Sequence, residues 1–145
     1  MSLLDRAVET IESWGAERKK DRAKCTKRFK EVLGQMDRAI TVWEQFLEKA
    51  PESGDRFTAV LWIGPKPAKK LHAIYLDNQA TAIELTALTG VRFKDSLSLA
   101  DDLDIVQPYD QLGPGETGSD RAETAIRIMT GRKERIEAAV KRLGT

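Results

Sequence analysis

The chain has 145 residues, of which 41% are hydrophobic and 32% charged, proportions ordinary for a soluble globular protein that buries a core. Lysines and arginines (24) nearly balance aspartates and glutamates (23), so a net charge of +1 gives no whole-molecule argument for nucleic acid, anionic lipid or an acidic substrate. Few aromatic residues and no repeated β-branched runs exclude an all-β sandwich, and a single cysteine excludes an intrachain disulfide.

Leu4, Val8, Ile11 and Trp14 begin an apolar stripe that continues in phase through Gly15, Arg18 and Arg22. No proline interrupts it, and Ala16 to Lys24 consists of good helix formers, so one long N-terminal helix is expected, bent near Gly15. Its first turns would then project beyond the bundle and offer Leu4, Val8, Ile11 and Trp14 to a second chain.

The longest amphipathic run follows, from Lys24 to Ala50. Cys25, Phe29, Val32 with Leu33, Met36, Ala39 with Ile40, Trp43, and Phe46 with Leu47 recur at steps of three and four, which places them on one helical face. Pro51 ends this helix at Ala50, because the residue before a proline is pushed out of helical geometry.

Arg56 to Gly64 is a short apolar run that periodicity cannot classify. A short buried helix is favoured over a strand, since an isolated strand would leave its backbone groups without partners. Gly64-Pro65-Lys66-Pro67 breaks the chain and pre-sets a helix from about Pro67 to Thr89, stopped by Gly90. Its inner stripe is Leu71, Ile74 with Tyr75, Asn78, Ala82, Leu85 and Leu88.

Residues 90–118 form an irregular acidic connector containing Pro108, Pro114 and Asp101, Asp102, Asp104 and Asp110. The last helix is expected from Asp120 to Leu143, with Asp120 and Glu123 as a capping-box-like pair. Ala122, Ile126, Met129, Lys133, Ile136, Val140 and Leu143 make its stripe. The fold class is therefore all-α: an antiparallel bundle of about three long helices plus short helical elements, forming one domain over residues 1–145.

Gly113 to Gly118 satisfies G-x-G-x-x-G, but no strand precedes it and Glu116 would oppose a phosphate, so it reads as a loop running into a helix. The densest basic cluster comprises Arg18, Lys19, Lys20, Arg22, Lys24, Lys27, Arg28 and Lys30. A helix spreads these residues into a positive collar suited to phosphate backbones but without base-reading information. Pairing with the acidic connector is the alternative use of the same charges.

Cys25 on the apolar stripe is expected to be buried, and His72 to lie on a helix surface without a nucleophile or second ligand beside it. The four aspartates of the connector lack the spacing of a calcium-binding loop. Asn78 beside a core stripe is expected to fix helix register. No cofactor and no metal site is expected.

These features point to a non-enzymatic interaction or assembly module that self-associates, as a homodimer or with another protein, through Leu4, Val8, Ile11 and Trp14. The alternatives are a protein that binds nucleic acid or another polyanion through segment 18–30, and a bundle holding a small molecule or metal near Tyr75, Asn78, Glu84 or His72. With no basic-then-apolar leader and no long uncharged apolar stretch, cytoplasmic location without membrane insertion is expected.

Overall fold

A computed structural model describes residues 3–49, 65–92 and 118–144. These form α1 (Leu3–Glu12), a 3₁₀ turn (Ala16–Arg18), α2 (Lys19–Lys49), α3 (Pro65–Thr89) and α4 (Gly118–Leu143), with no strand among the described residues. The expected short element at Arg56–Gly64, the acidic connector and most of the glycine-rich loop lie outside them.

The fold is an all-α helical bundle. α2 packs against both α3 and α4, and α1 packs against the same two helices from the other side. Contacts fix the directions: Arg28 meets Glu84 and Arg38 meets Asp77, so α3 runs antiparallel to α2. Arg22 meets Leu143 and Asp37 meets Lys133, so α4 does as well.

The core follows the stripes read from the sequence. Cys25, Phe29, Val32, Met36, Trp43 and Phe46 of α2 meet Leu71, Ile74 and Leu85 of α3 and Ala122, Met129, Ile136 and Leu143 of α4. Ala125 and Ala139 add a second small-residue row on α4 that permits close approach to its neighbours.

The N-terminal segment departs from expectation. It is not one helix bent at Gly15 but two helices separated by Ser13–Gly15 and the 3₁₀ turn. Gly15 has φ −83° and ψ −176°, an extended conformation open to any residue, so the break does not depend on glycine's freedom. Local competition contributes: the Thr10 hydroxyl donates to the Arg6 carbonyl and the Ser13 hydroxyl to the Thr10 carbonyl, loosening the last turn of α1. The larger cause is tertiary. Breaking the helix lets Leu4, Ala7, Val8 and Ile11 enter the core against α3 and α4, whereas a continuous helix would leave them in water.

The remaining boundaries differ little. α3 starts at Pro65, two residues before Pro67, and α4 starts at Gly118. Asp120 consequently lies inside the first turn of α4, where its carboxylate favours the positive end of the helix dipole. Gly90 ends α3 with φ +75°, a left-handed position where a side chain is strained, and its N–H donates to the Thr86 carbonyl at 2.8 Å.

Candidate functional site

The basic segment divides by residue type. Arg18 places its guanidinium 3.7 Å from the centroid of the Trp14 ring, pairs with Asp21 at 3.2 Å and donates to the Leu88 carbonyl at 3.4 Å. Arg22 donates to the Leu143 carbonyl at 3.1 Å. The last carbonyls of a helix lack intrahelical donors and carry the negative end of its dipole, so these two arginines of α2 and its preceding turn cap the C-terminal ends of α3 and α4. Arg28 is held by Glu31 at 2.6 Å and by Glu84 of α3. All three are spent on the bundle.

The lysines behave differently. Lys19, Lys20, Lys24, Lys27 and Lys30 are exposed and form no ion pair among the described residues. Because Cys25 and Phe29 turn the opposite side of α2 into the core, these lysines occupy the outer face alone. The expected collar is thus a one-sided positive face. Beside it, Lys19, Lys27 and Lys30 line an open recess of about 390 Å³ together with Arg22, Ala23, Thr26 and Leu143.

The residues expected to mediate self-association are placed elsewhere. Leu4, Val8 and Ile11 are buried at 6%, 2% and 0% exposure, and Trp14 is half-buried under Arg18. They do not project, because α3 and α4 of the same chain cover them.

Among the described residues, Asn78, Glu84, His72 and Tyr75, expected near a small molecule or metal, have separate surroundings. Asn78 is buried and donates to Gln35 Oε1 at 3.0 Å, while Gln35 Nε2 donates to Thr81 Oγ1 at 2.9 Å. The Thr81 hydroxyl in turn donates a hydrogen bond to the Asp77 carbonyl at 3.0 Å. This triad fixes the register of α2 on α3, as expected for Asn78; Gln35, which completes it, is missed by a reading that counts only apolar positions. Glu84 faces Arg28, and His72 is exposed, with the centroid of the Tyr75 ring 6.2 Å from its own. Among the described residues no group of three or more histidines, cysteines or carboxylates is placed to hold a metal ion, and no helix is long and apolar enough to cross a membrane. Cys25 is fully buried, and burial with nearby Asp21 pushes its thiol up to about 11 against the opposing pull of Arg18.

One face of α3 has no counterpart in the sequence expectations. Leu76 and Ile83 are 50% and 63% exposed, the large apolar side chains most open to water among the described residues. Ala73, Ala80 and Ala87 are exposed with them. The five recur at alternating steps of three and four, directly opposite the stripe Leu71, Ile74, Asn78, Leu85 that faces the core. α3 is therefore apolar on two faces, only one of which faces the core formed by the described helices.

No protein-family model matches the chain, and no curated protein or solved structure shows significant similarity to it.

Proposed function

We propose that the protein is a non-enzymatic helical assembly module whose contact surface is the outer face of α3. The observation that carries this reading is the second apolar stripe, Ala73, Leu76, Ala80, Ile83 and Ala87, exposed on a helix already anchored through its other face. A heptad-spaced apolar seam costs solubility unless another surface removes it from water. This replaces the α1 residues as the basis for association and keeps the function in the same class.

The test is replacement of Leu76 and Ile83 by glutamate. A docking face open in the isolated bundle tolerates both changes, with thermal stability held within a few degrees, while association is lost. A large fall in melting temperature would mean that the stripe is packed inside the fold and would remove the reading.

A second reading rests on the five outward lysines. A positive face on one side of α2 fits a phosphate backbone, and its affinity would follow counterion release, with a slope of log K against log salt near −0.9 per phosphate neutralised. Titrating the protein with short duplex and single strands from low salt upward decides it. No binding even at low salt would end this reading.

A further inference from the structure

We propose that the occupant of the outer face of α3 is a second copy of this chain, with the two α3 helices packed antiparallel about a two-fold axis near Asn78. The proposal rests on the assembly reading above and adds the partner and the geometry. Its first support is steric self-complementarity. In an antiparallel pair each a position faces a d position of the other helix. Taking Ala73, Ala80 and Ala87 as a and Leu76 and Ile83 as d, this register sets Leu76 against Ala80 of the second copy and Ile83 against Ala73. Each layer then holds one large and one small side chain, so the helices keep an even separation. A parallel pair would alternate alanine–alanine gaps with leucine–leucine and isoleucine–isoleucine bulges.

Charge bears on the register. The flanking e positions are Lys70, Asp77 and Glu84, and e faces e in an antiparallel pair. Centred near Asn78, Lys70 of each copy lies beside Glu84 of the other, which also holds its own Arg28, and the two Asp77 residues at the axis each bring their own Arg38, 3.8 Å away. Sliding one heptad step toward the C-terminus would instead set Asp77 against Glu84 twice, and sliding toward the N-terminus pairs Lys70 with Asp77 but sets Ile83 against Lys66 and Ala80 against Lys69. The opposite flank, His72, Gln79 and Thr86, places Gln79 against its own copy without charge conflict.

The ends of α3 agree. Its first turn has no acidic residue, yet Lys66, Lys69 and Lys70 are exposed there, where a helix dipole disfavours positive charge. Antiparallel pairing moves these lysines beside the negative C-terminal half of the other α3. One helix pair is a small interface, so a weak dimer of roughly micromolar or lower affinity is expected.

The experiment is sedimentation equilibrium of the full chain from about 1 µM to about 1 mM, the range a small interface demands. A monomer–dimer equilibrium is expected there, weakened at least tenfold in Leu76→Glu/Ile83→Glu. Lys70→Glu weakens the dimer, and adding Glu84→Lys in the same chain restores it, with thermal unfolding of each variant measured alongside because Glu84 also holds Arg28 of its own chain. For direction, Lys70→Cys mixed with Glu84→Cys forms a disulfide-linked dimer, whereas Ile83→Cys alone does not, its two copies lying about 15 Å apart along the axis. Efficient cross-linking of Ile83→Cys to itself would show a parallel pair and overturn the geometry. A monomer throughout the range overturns the second copy as occupant; if the Leu76→Glu/Ile83→Glu variant also keeps its melting temperature, the face is open to a different protein and the assembly reading stands without this inference. A monomer destabilised by those changes would assign the face to another segment of the same chain and end both.

Discussion

Gln35 and Cys25 show how single side chains are constrained where α2 enters the core. Gln35 uses both ends of its amide, accepting from Asn78 and donating to Thr81, at a buried position. Truncating it removes both bonds and leaves buried polar atoms to find other partners, so Gln35→Ala should cost about 1–3 kcal/mol in urea unfolding. In a double-mutant cycle with Asn78→Ala the two changes should cost less together than their sum, with a coupling of about 1 kcal/mol or more. Additive losses would mean that the triad does not act as a unit. Cys25 predicts a pH effect. Its thiol keeps its proton up to about 11 in the folded chain, against an ordinary value of 9.0, so the folded state binds a proton that the unfolded state releases first. The resulting stability is fully present below pH 9 and is lost as pH rises from 9 to about 11, an effect of about 2–3 kcal/mol. Comparing unfolding free energies of the native chain and Cys25→Ala across that window isolates the thiol, since the lysine titrations are common to both.

At the scale of elements, the helices that could be read from sequence are those whose apolar stripe has one destination. α2 and α4 each pair one buried face with one charged face, so periodicity located the end of α2 and both ends of α4 to within a few residues and identified Cys25, Met36, Trp43, Met129 and Ile136 as core, although it ran α2 back into α1. The first stripe was in phase with α2, and phase alone does not distinguish a helix that continues from one that folds back. The deciding quantity was the apolar area that Leu4, Val8 and Ile11 bury on α3 and α4, which is tertiary and invisible to a local pattern. α3 posed the opposite problem: Leu76 and Ile83 are seven residues apart and could have been seen, but a reading that assigns each helix a single apolar stripe stops at Leu71–Leu88. The packing of α1 is directly testable. Ile11→Ala, at a fully buried position, should cost about 2–5 kcal/mol, whereas Glu12→Gln, which removes only the exposed pair with Arg142 at 2.5 Å, should change stability little. Gly15→Ala should be nearly neutral, because its backbone is unstrained and the group nearest an added methyl is the movable carboxylate of Glu17. If Ile11→Ala proved as mild as Gly15→Ala, α1 would not be part of the core.

Over the whole molecule, near-neutral net charge conceals a segregation that composition cannot report. The arginines of the basic segment are drawn to helix ends and carboxylates, where a planar multi-donor group satisfies several acceptors at once, and the lysines are left on the outer face of α2. The apolar outer stripe lies on a different helix, so the two surfaces share no partner and their substitutions should act independently on a one-site ligand. Lys20→Glu/Lys24→Glu/Lys27→Glu should leave the sedimentation equilibrium of the chain unchanged while abolishing any salt-sensitive binding to a short duplex. Leu76→Glu/Ile83→Glu should do the reverse. A long duplex separates the cases further, because a dimer carries two lysine faces and gains from engaging both, by an effective concentration that a monomer lacks. On long duplex, therefore, the α3 variant should bind more weakly than the native chain even though its lysine face is intact, and the difference should vanish as the duplex is shortened to one site. Equal binding of both proteins at every duplex length would show that the two faces are not used together.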